Sequence, residues 1–258
     1  MPETLSPGAF TTLLSPGMRV FVPGASNEPL GLLEALRARP ACAAGVTFVQ
    51  FPLPGMNGFD FPGLHPEARM ESFFLSPALR RSFDAGRVDF LPMHMRRIYD
   101  HLATCDRFDL VLIQVGMDGA GEFRHGPNED FLEAALGNGA KVVAEFNRGF
   151  EPAGGAPYID ADAIDFLVET DRPLPELAPP ALDDAARDIG AFVADLIPDG
   201  ACIQTGIGSI PAAVLAALGE HNDLGLHGGL VDDAGFALVD RGVITGTRKA
   251  IDREVHVT

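Results

Sequence analysis

The sequence is poor in cysteine, and this limits the chemistry that the chain can support. It contains three cysteines, Cys42, Cys105 and Cys202, and no two of them form a C-x-x-C pair. An odd number of cysteines at such spacings indicates neither a disulfide framework nor a zinc site. We therefore expect no metal site and a reducing, cytoplasmic compartment.

Basic residues are also scarce. The chain has 19 Lys and Arg against 36 Asp and Glu, which gives a formal net charge of -17 at pH 7. A surface of this charge repels phosphate backbones and anionic membranes, so neither nucleic acid nor a membrane is expected as a partner. An anionic ligand would depend on backbone N–H groups and on a few local cations such as Arg248 and Lys249.

Long apolar runs are missing as well. No stretch approaches the length needed to span a bilayer, and residues 1–10 lack a basic segment followed by an apolar one. A soluble, unexported protein is expected. Hydrophobic residues nevertheless make up 47% of the chain, while Gly and Pro together stay below the level of low-complexity sequence. The composition predicts a folded protein with a substantial core.

The sequence does contain a regular alternation of short apolar runs with helical patterns. This alternation is typical of an α/β fold with a largely parallel sheet. A helix is predicted over residues 29–39, with Leu32, Leu33 and Leu36 on one face. Buried strands are predicted over residues 19–22, 46–51, 110–115 and 141–146.

Two segments interrupt this alternation. Residues 51–66 form a long irregular stretch, which in a compact domain is either functional, mobile or a plain surface excursion. Residues 171–180 contain four prolines, which exclude both a helix and a central strand. We therefore predict a first domain over residues 1–172, a Pro-rich linker over 173–181 and the beginning of a second domain over 182–258.

The second region repeats the pattern of the first. Residues 198–218 align without gaps on residues 16–36, and both segments predict a turn, a strand, a glycine loop, a proline and a helix. Before this unit, Leu182, Ala186, Ile189, Val193 and Leu196 are spaced for one face of a helix. Duplication of a domain explains the repeat, and too few residues follow to complete the second copy. We expect the second domain to be incomplete.

Two motifs of the second region are candidate ligand sites. A predicted strand through Gln204 runs into a Gly-x-Gly loop, residues 206–210, and then into a helix, so that free N–H groups face outward. Gly208 would let a ligand approach the backbone, and Ser209 can cap the helix or donate, although an isolated glycine turn is more often plain structure.

The other motif, residues 223–230, predicts a strand that ends at Gly228 and Gly229 and precedes a helix over 232–241. Carboxyl ends of strands bind ligands in open α/β sheets. His227 taken alone is more simply a structural histidine.

Six short runs of the sequence resemble one known family. Three lie at residues 21–29, 112–115 and 145–148, and three at residues 202–211, 221–227 and 242–246. At these positions the chain is similar to the acetyl-CoA hydrolase/transferase family, which includes the 4-hydroxybutyrate and succinate CoA-transferases. The similarity extends over essentially the whole chain.

The resemblance implies an α/β fold of two related CoA-transferase domains with mostly parallel sheets, the second incomplete here. It implies a coenzyme A thioester as substrate, no permanently bound cofactor, and a small carboxylate as acceptor. In this family a glutamate carboxylate attacks the thioester and forms an acyl anhydride, then a glutamyl-CoA thioester. Backbone donors to the substrate come from the loop that matches Gly206, Ile207, Gly208, Ser209 and Ile210.

The chain departs from the family at the nucleophile. The family glutamate falls two places after the histidine of a Leu-His motif, and this chain has Gly229 there. Glu28 is our candidate substitute, because the repeat pairs its loop with the 206–210 loop. The alternative role for Glu28 is that of a loop cap or a solvent-facing charge.

Two functions remain open on these grounds. The chain is a CoA-transferase or acyl-CoA hydrolase relative acting on a small acyl-CoA, with direct attack by water as one route. Alternatively, it is a non-catalytic subunit that binds CoA thioesters or a protein partner. The intact 206–210 loop favours the first function and Gly229 the second.

Strands expected around Val243, Ile244, Val255 and Val257 would lack neighbours, so we also expect a homo-oligomer or a complementing chain.

Overall fold

The computed structural model describes residues 1–105, 107–137, 139–153 and 155–258. The chain divides into two compact units, Met1–Leu177 and Ala178–Thr258. The division falls inside the predicted linker, and residues 171–183 carry neither helix nor strand. The domain boundaries themselves stay a prediction.

Unit 1, Met1–Leu177, is an α/β unit. Its strands are β1 Glu3–Thr4, β2 Arg19–Phe21, β3 Thr47–Gln50, β4 Arg69–Ser72, β5 Val88–Phe90, β6 Leu110–Met117, β7 Phe123–His125, β8 Lys141–Asn147 and β9 Phe166–Thr170. Its helices are α1 Pro7–Phe10, α2 Leu30–Ala38, α3 Arg80–Asp84, α4 Met95–Thr104 and α5 Leu132–Leu136. Short 3-10 turns occupy Thr11–Leu13, Ala25–Asn27, Pro40–Ala43, Phe61–Gly63, Pro77–Leu79 and Ala161–Ala163.

In the described part of the chain these strands form one sheet in the order β1-β9-β8-β6-β2-β3-β4-β5. All neighbours in this order are parallel, and β7 pairs antiparallel with β6. The predicted α/β fold with a mostly parallel sheet is confirmed. The chain runs outward from β2 to β5 and then returns to the other side of β2 with β6. The order of the strands therefore reverses between β2 and β6.

Both faces of the sheet are covered, which explains the continuous apolar sequence of its central strands. Along β6, Leu110 and Leu112 pack into one core with α1 and α2, whereas Val111 and Ile113 pack into the other. The predicted face of α2 is confirmed, since Leu32, Leu33 and Leu36 are all buried in the first of these cores. The other core contains Ile98 and Leu102 of α4 and residues of α5.

Unit 2, Ala178–Thr258, is smaller. It contains α6 Asp184–Ala194, β10 Cys202–Ile203, α7 Ser209–Ala217, β11 Gly225–Leu226 and α8 Asp233–Asp240. The strands β10 and β11 are parallel, and single parallel bridges add Ile244 beside Leu224 and Val257 beside His227. Leucines of α7, α8 and β11 form its core.

The prediction for the packing face of α6 is wrong. Of the five apolar residues expected on that face, Ala186 alone is fully buried, and Ile189 and Leu196 are exposed. The buried stripe consists of small residues, Ala186, Gly190 and Ala194. A Cβ at Gly190 would lie 2.7 Å from the Ala213 carbonyl, so α7 packs directly against the backbone of α6. The close approach of α7 leaves room only for glycine and alanine on this face of α6, so the larger apolar residues lie outside the contact.

The strands predicted near the end of unit 2 are reduced to single-residue bridges at Ile244 and Val257. Val243 and Ile244 are buried, whereas Val255 is exposed. Exposed apolar side chains lie elsewhere, on Phe192 of α6 and Phe236 of α8. The expected association with a second chain stays a prediction.

Candidate functional site

The polar end of unit 1 lies where the strand order reverses, at the carboxyl ends of β2 and β6. We call this region the unit 1 edge. Open parallel sheets bind ligands at such a point, because the connections leave in opposite directions and open a crevice. The loop after β2 contains the 3-10 turn Ala25–Asn27 and leads into α2.

The backbone of this loop is tightly constrained. A Cβ at Gly24 would overlap the carbonyl oxygen of Phe51, so glycine is required there. Ala25 has a left-handed φ of +46°, and Asn57 holds it by accepting from its N–H at 2.7 Å and donating to its carbonyl at 3.0 Å. Non-glycine residues keep such a conformation only when their surroundings hold it. Asn57 thus gives the irregular segment 51–66 a structural role at the unit 1 edge.

Glu28 lies inside this loop and faces the interior. It is 2% exposed, and the side-chain amide of Gln50 donates to its Oε1 at 2.9 Å. Burial raises the pKa of the Glu28 carboxyl, and hydrogen bonds from Gln50 and Asn57 oppose that rise. A solvent-facing role for Glu28 is wrong. Its candidacy as a nucleophile stays a prediction, and its burial means that a substrate would have to reach it through the loop.

Asp130, from a segment that follows β7, contacts the start of this loop. The Gly24 N–H donates to Asp130 Oδ2 at 3.2 Å, and Asp130 has a φ of +49°. Burial raises its pKa to about 6, against one opposing hydrogen bond from Gly24. Sequence reasoning did not find Asp130, because 106 positions separate it from Gly24. A proline three places earlier and the neighbouring Glu129 are the only local features near it, and neither indicates such a contact.

Further side-chain amides complete the unit 1 edge. Ser26 Oγ donates to Asn128 Oδ1 at 3.1 Å, and Asn27 donates to the Asn128 carbonyl. From the strands, Gln114 Nε2 donates to the Ser26 carbonyl at 3.2 Å, and Asn147 Nδ2 donates to Gln114 Oε1 at 3.2 Å. These hydrogen bonds connect the carboxyl ends of β2, β6 and β8.

In unit 2, the 206–210 loop follows the carboxyl end of β10. Its Gly208 has a φ of +135° and is the N-cap of α7, so the helix begins at Ser209, inside the predicted 206–210 loop. No side chain caps this helix, and Ser209 is its first residue instead of its cap. First-turn N–H groups have no intrahelical partner, and Ile207 and Ile210 are 51% and 46% exposed beside them.

Gly229 lies just past the carboxyl end of the neighbouring strand, β11. It is exposed, and a Cβ built there meets nothing within 4 Å. A Cβ added at Gly228 would lie 3.4 Å from the Cγ of Gln204, which is one of the two residues between β10 and the loop. The parallel pairing of β10 with β11 thus brings the two predicted motifs to one end of unit 2, which we call the unit 2 edge.

The two predicted cations have other positions. Arg248 packs against Gly200, at the amino end of β10, so the structure does not bring it to the loop. Lys249 is buried and donates to the carbonyls of Leu226 at 3.1 Å and Val255 at 2.7 Å. Lys249 ties β11 to the segment that follows it.

In the described residues, no group of three His, Cys, Asp or Glu side chains is arranged to hold a metal, and no helix has the length and apolarity to cross a membrane.

Residues 4–172 match the acetyl-CoA hydrolase/transferase N-terminal domain family. The chain is 33% identical over 236 residues to 4-hydroxybutyrate coenzyme A transferase of Clostridium kluyveri, covering 90% of this chain and 55% of that protein. The structure of RipA from Yersinia pestis matches with a TM-score of 0.88 at 26% identity, covering 98% of this chain and 62% of that one.

A 4-hydroxybutyrate CoA-transferase from Porphyromonas gingivalis matches with a TM-score of 0.79 at 26% identity, covering 99% of this chain and 61% of that one. The chain spans about half the length of the curated relatives that it matches.

Proposed function

The chain belongs to the acetyl-CoA hydrolase/transferase family, and on this basis we propose that it binds a small acyl-CoA thioester and acts as a CoA-transferase or an acyl-CoA hydrolase. The thioester is a substrate and not a resident cofactor. A small carboxylate is the acceptor in the transferase case. Its relatives are CoA-transferases named for small acids such as 4-hydroxybutyrate and succinate, which supports this class of substrate.

The observation that carries the proposal is the unit 2 edge. The uncapped start of α7 and the exposed 206–210 loop lie beside the open position at Gly229. In a protein of net charge -17, backbone N–H groups and the positive end of a helix are the economical way to hold an anionic ligand. The same donors, Gly206, Ile207, Gly208, Ser209 and Ile210, suit the oxyanion that forms when a thioester carbonyl is attacked.

A substitution in the loop tests this proposal. Gly208→Asp adds bulk and a negative charge, and it also strains a position with a φ of +135°. Gly206→Asp adds the same charge where a Cβ meets nothing within 4 Å, so it separates charge from strain. We expect each variant to weaken CoA binding by about tenfold or more in calorimetry, which corresponds to about 1.4 kcal/mol.

The matched control is Gly119→Asp, which adds an aspartate to unit 1 at another glycine with no neighbour within 4 Å. This control should bind CoA as the unmodified chain does. Unchanged affinity in both loop variants would show that CoA binds elsewhere, and the assignment of the loop would be abandoned.

A second candidate function is a non-catalytic subunit that binds CoA thioesters or a protein partner. Gly229 favours it, because this glycine, which has no side chain, stands where the resemblance implies the family nucleophile. Turnover of butyryl-CoA separates the two candidates. Free thiol released above the buffer rate indicates a hydrolase, and acetyl-CoA formed from butyryl-CoA and acetate without net thiol release indicates a transferase. Binding without either product supports the subunit.

A further inference from the structure

A histidine and an aspartate meet at the unit 2 edge, in residues that sequence analysis did not combine. His227 Nδ1 lies 4.0 Å from Asp252 Oδ2, and the two side chains are 36% and 53% exposed. The His227 N–H donates to the Ile203 carbonyl at 3.0 Å, which fixes the histidine backbone at the end of the sheet. The backbone of His227 is therefore held in place, while its imidazole is accessible to solvent.

The face of the sheet on which His227 lies is set by strand alternation. Leu224 and Leu226 are buried in the core of unit 2, so Gly225 and His227 project on the opposite face. The register pairs Cys202 with Gly225, and two residues further along each strand this places Gln204 beside His227. From Gln204 the chain continues through Thr205 into the 206–210 loop. The histidine and the uncapped N–H groups thus lie at adjacent strand ends.

The turn that carries Asp252 is held in an unusual conformation. Asp252 and Glu254 have left-handed φ values of +48° and +61°. The turn is tied to β11 by Lys249, whose Nζ donates to the carbonyls of Val255 and Leu226, and by the Glu254 N–H, which donates to Gly246. Non-glycine residues persist in this region only when the surroundings hold them, and such residues concentrate at functional sites.

Space for a reacting group lies next to this pair. Gly228 and Gly229, which follow His227, have no side chains. A Cβ added at Gly229 would have no other atom of the described residues within 4 Å. A water molecule and a thioester carbonyl can both enter this space. At 4.0 Å the histidine and aspartate do not yet form a hydrogen bond, but catalytic hydrogen bonds in unliganded enzymes are commonly long and shorten when substrate binds.

We propose that water is the acyl acceptor at the unit 2 edge, with His227 as the general base that activates it and Asp252 as the residue that positions the imidazole. This inference rests on the proposed function, namely that the edge binds an acyl-CoA. A water oxygen attacks the thioester carbonyl while His227 takes one water proton. The carbon–sulfur bond then breaks, the proton passes to the CoA sulfur, and the products are a carboxylic acid and free CoA.

The test uses the full chain with butyryl-CoA in water enriched in oxygen-18. Hydrolysis puts one heavy oxygen from water into the butyrate. Transfer of CoA to acetate instead gives acetyl-CoA and a butyrate whose new oxygen comes from acetate, so that butyrate carries no label. We expect label incorporation with thiol release. His227→Gln and His227→Asn should each lower kcat by about a hundredfold or more, the range for loss of a general base. CoA affinity measured by calorimetry should be unchanged in both variants.

Asp252→Asn tests the positioning role, because asparagine tolerates a left-handed φ and leaves the turn intact. It should lower kcat less than His227→Gln does, with KM unchanged, since Asp252 does not touch the substrate. The controls are His94→Gln, at an exposed histidine of unit 1, and Asp240→Asn, at the exposed end of α8. Both controls should hydrolyse butyryl-CoA at the rate of the unmodified chain.

Two results would overturn the inference in distinguishable ways. If CoA binds and no labelled butyrate forms, or if the two His227 variants keep full hydrolysis, water activation by His227 is wrong while the binding site stands. If CoA does not bind at all, the proposed function fails first and the inference fails with it.

Discussion

At the scale of single residues, carboxylates with little solvent exposure distinguish the unit 1 edge: Glu28 and Glu145 are buried, and Asp130 is partly buried. Glu28, Asp130 and Glu145 all have pKa values raised by burial, but their partners differ. Glu145 accepts the N–H groups of Gly31 and Leu32 at 2.8 and 3.1 Å and the Thr170 hydroxyl at 2.8 Å, so it fastens α2 to β8. Glu28 and Asp130 have fewer donors, which leaves them more costly to ionise.

Asp130 gives a prediction about stability and pH. The ordinary pKa of an aspartate, which we take for the unfolded chain, is 3.8, and in the folded protein the pKa of Asp130 is about 6. Between these values the folded state keeps a proton that the unfolded chain releases, so ionisation lowers stability as pH rises through this window and the loss is complete above pH 6. The full loss is about 3 kcal/mol. Asp130→Asn removes it, retains an acceptor for the Gly24 N–H and suits a left-handed φ.

The measurement is urea unfolding of Asp130→Asn and the unmodified chain at pH 4 and pH 8. The variant should be more stable by about 1–3 kcal/mol at pH 8, and the difference should nearly vanish at pH 4. Asp89→Asn, at an exposed aspartate of β5, is the control and should show no such pH-dependent gain. An equal difference at both pH values would mean that Asp130 is not the titrating group.

Gly229 gives a second prediction at this scale. Incubation with butyryl-CoA followed by hydroxylamine or borohydride should leave the peptide of residues 227–233 unmodified at Gly229, because glycine carries no carboxylate to form a thioester. Gly229→Glu should change the free energy of unfolding by no more than about 0.5 kcal/mol, as expected for an open surface site. If trapping instead modifies Glu28, and the modification is lost in Glu28→Gln, then Glu28 attacks the thioester. That result would count against attack by water.

At the scale of elements, the contact between α6 and α7 depends on one glycine. A Cβ at Gly190 would lie 2.7 Å from the Ala213 carbonyl and 3.0 Å from the Ala213 Cβ. Gly190→Leu therefore forces the helices apart, and we expect a loss of about 3 kcal/mol in urea unfolding monitored by circular dichroism. Ala191→Leu places the same leucine side chain on the exposed side of α6 and should change stability by less than about 0.5 kcal/mol. Equal effects of the two substitutions would contradict this packing.

At the scale of the whole molecule, the two units make the linker testable. Residues 171–183 have no helix or strand, and Glu176 within them is exposed. Loops of this kind are the first sites of proteolysis. Protease cleaving after glutamate should cut first after Glu176 and produce fragments 1–176 and 177–258 that resist further cutting. Glu176→Gln should remove this first cut. Earlier cleavage within residues 1–172 or 182–258 would contradict the predicted domain boundaries.

The elements that the sequence predicted best are those with long apolar runs. The central strands β6 and β8 and the helix α2 were found because burial on both faces leaves few polar residues in a strand, and burial on one face leaves leucines at helical spacing. The packing face of α6 was not found, because spacing alone does not reveal that a neighbouring helix requires small residues at Gly190.

By itself, the sequence determined the α/β class, the parallel sheet, the family and the two loops at strand ends, because each of these depends on residues close together along the chain. The tertiary structure alone decided which distant residues meet. Gly24 pairs with Asp130 because the strand order reverses between β2 and β6. His227 faces Asp252 because a left-handed turn returns along β11. Such contacts depend on strand order and backbone handedness, and neither leaves a local pattern in the sequence.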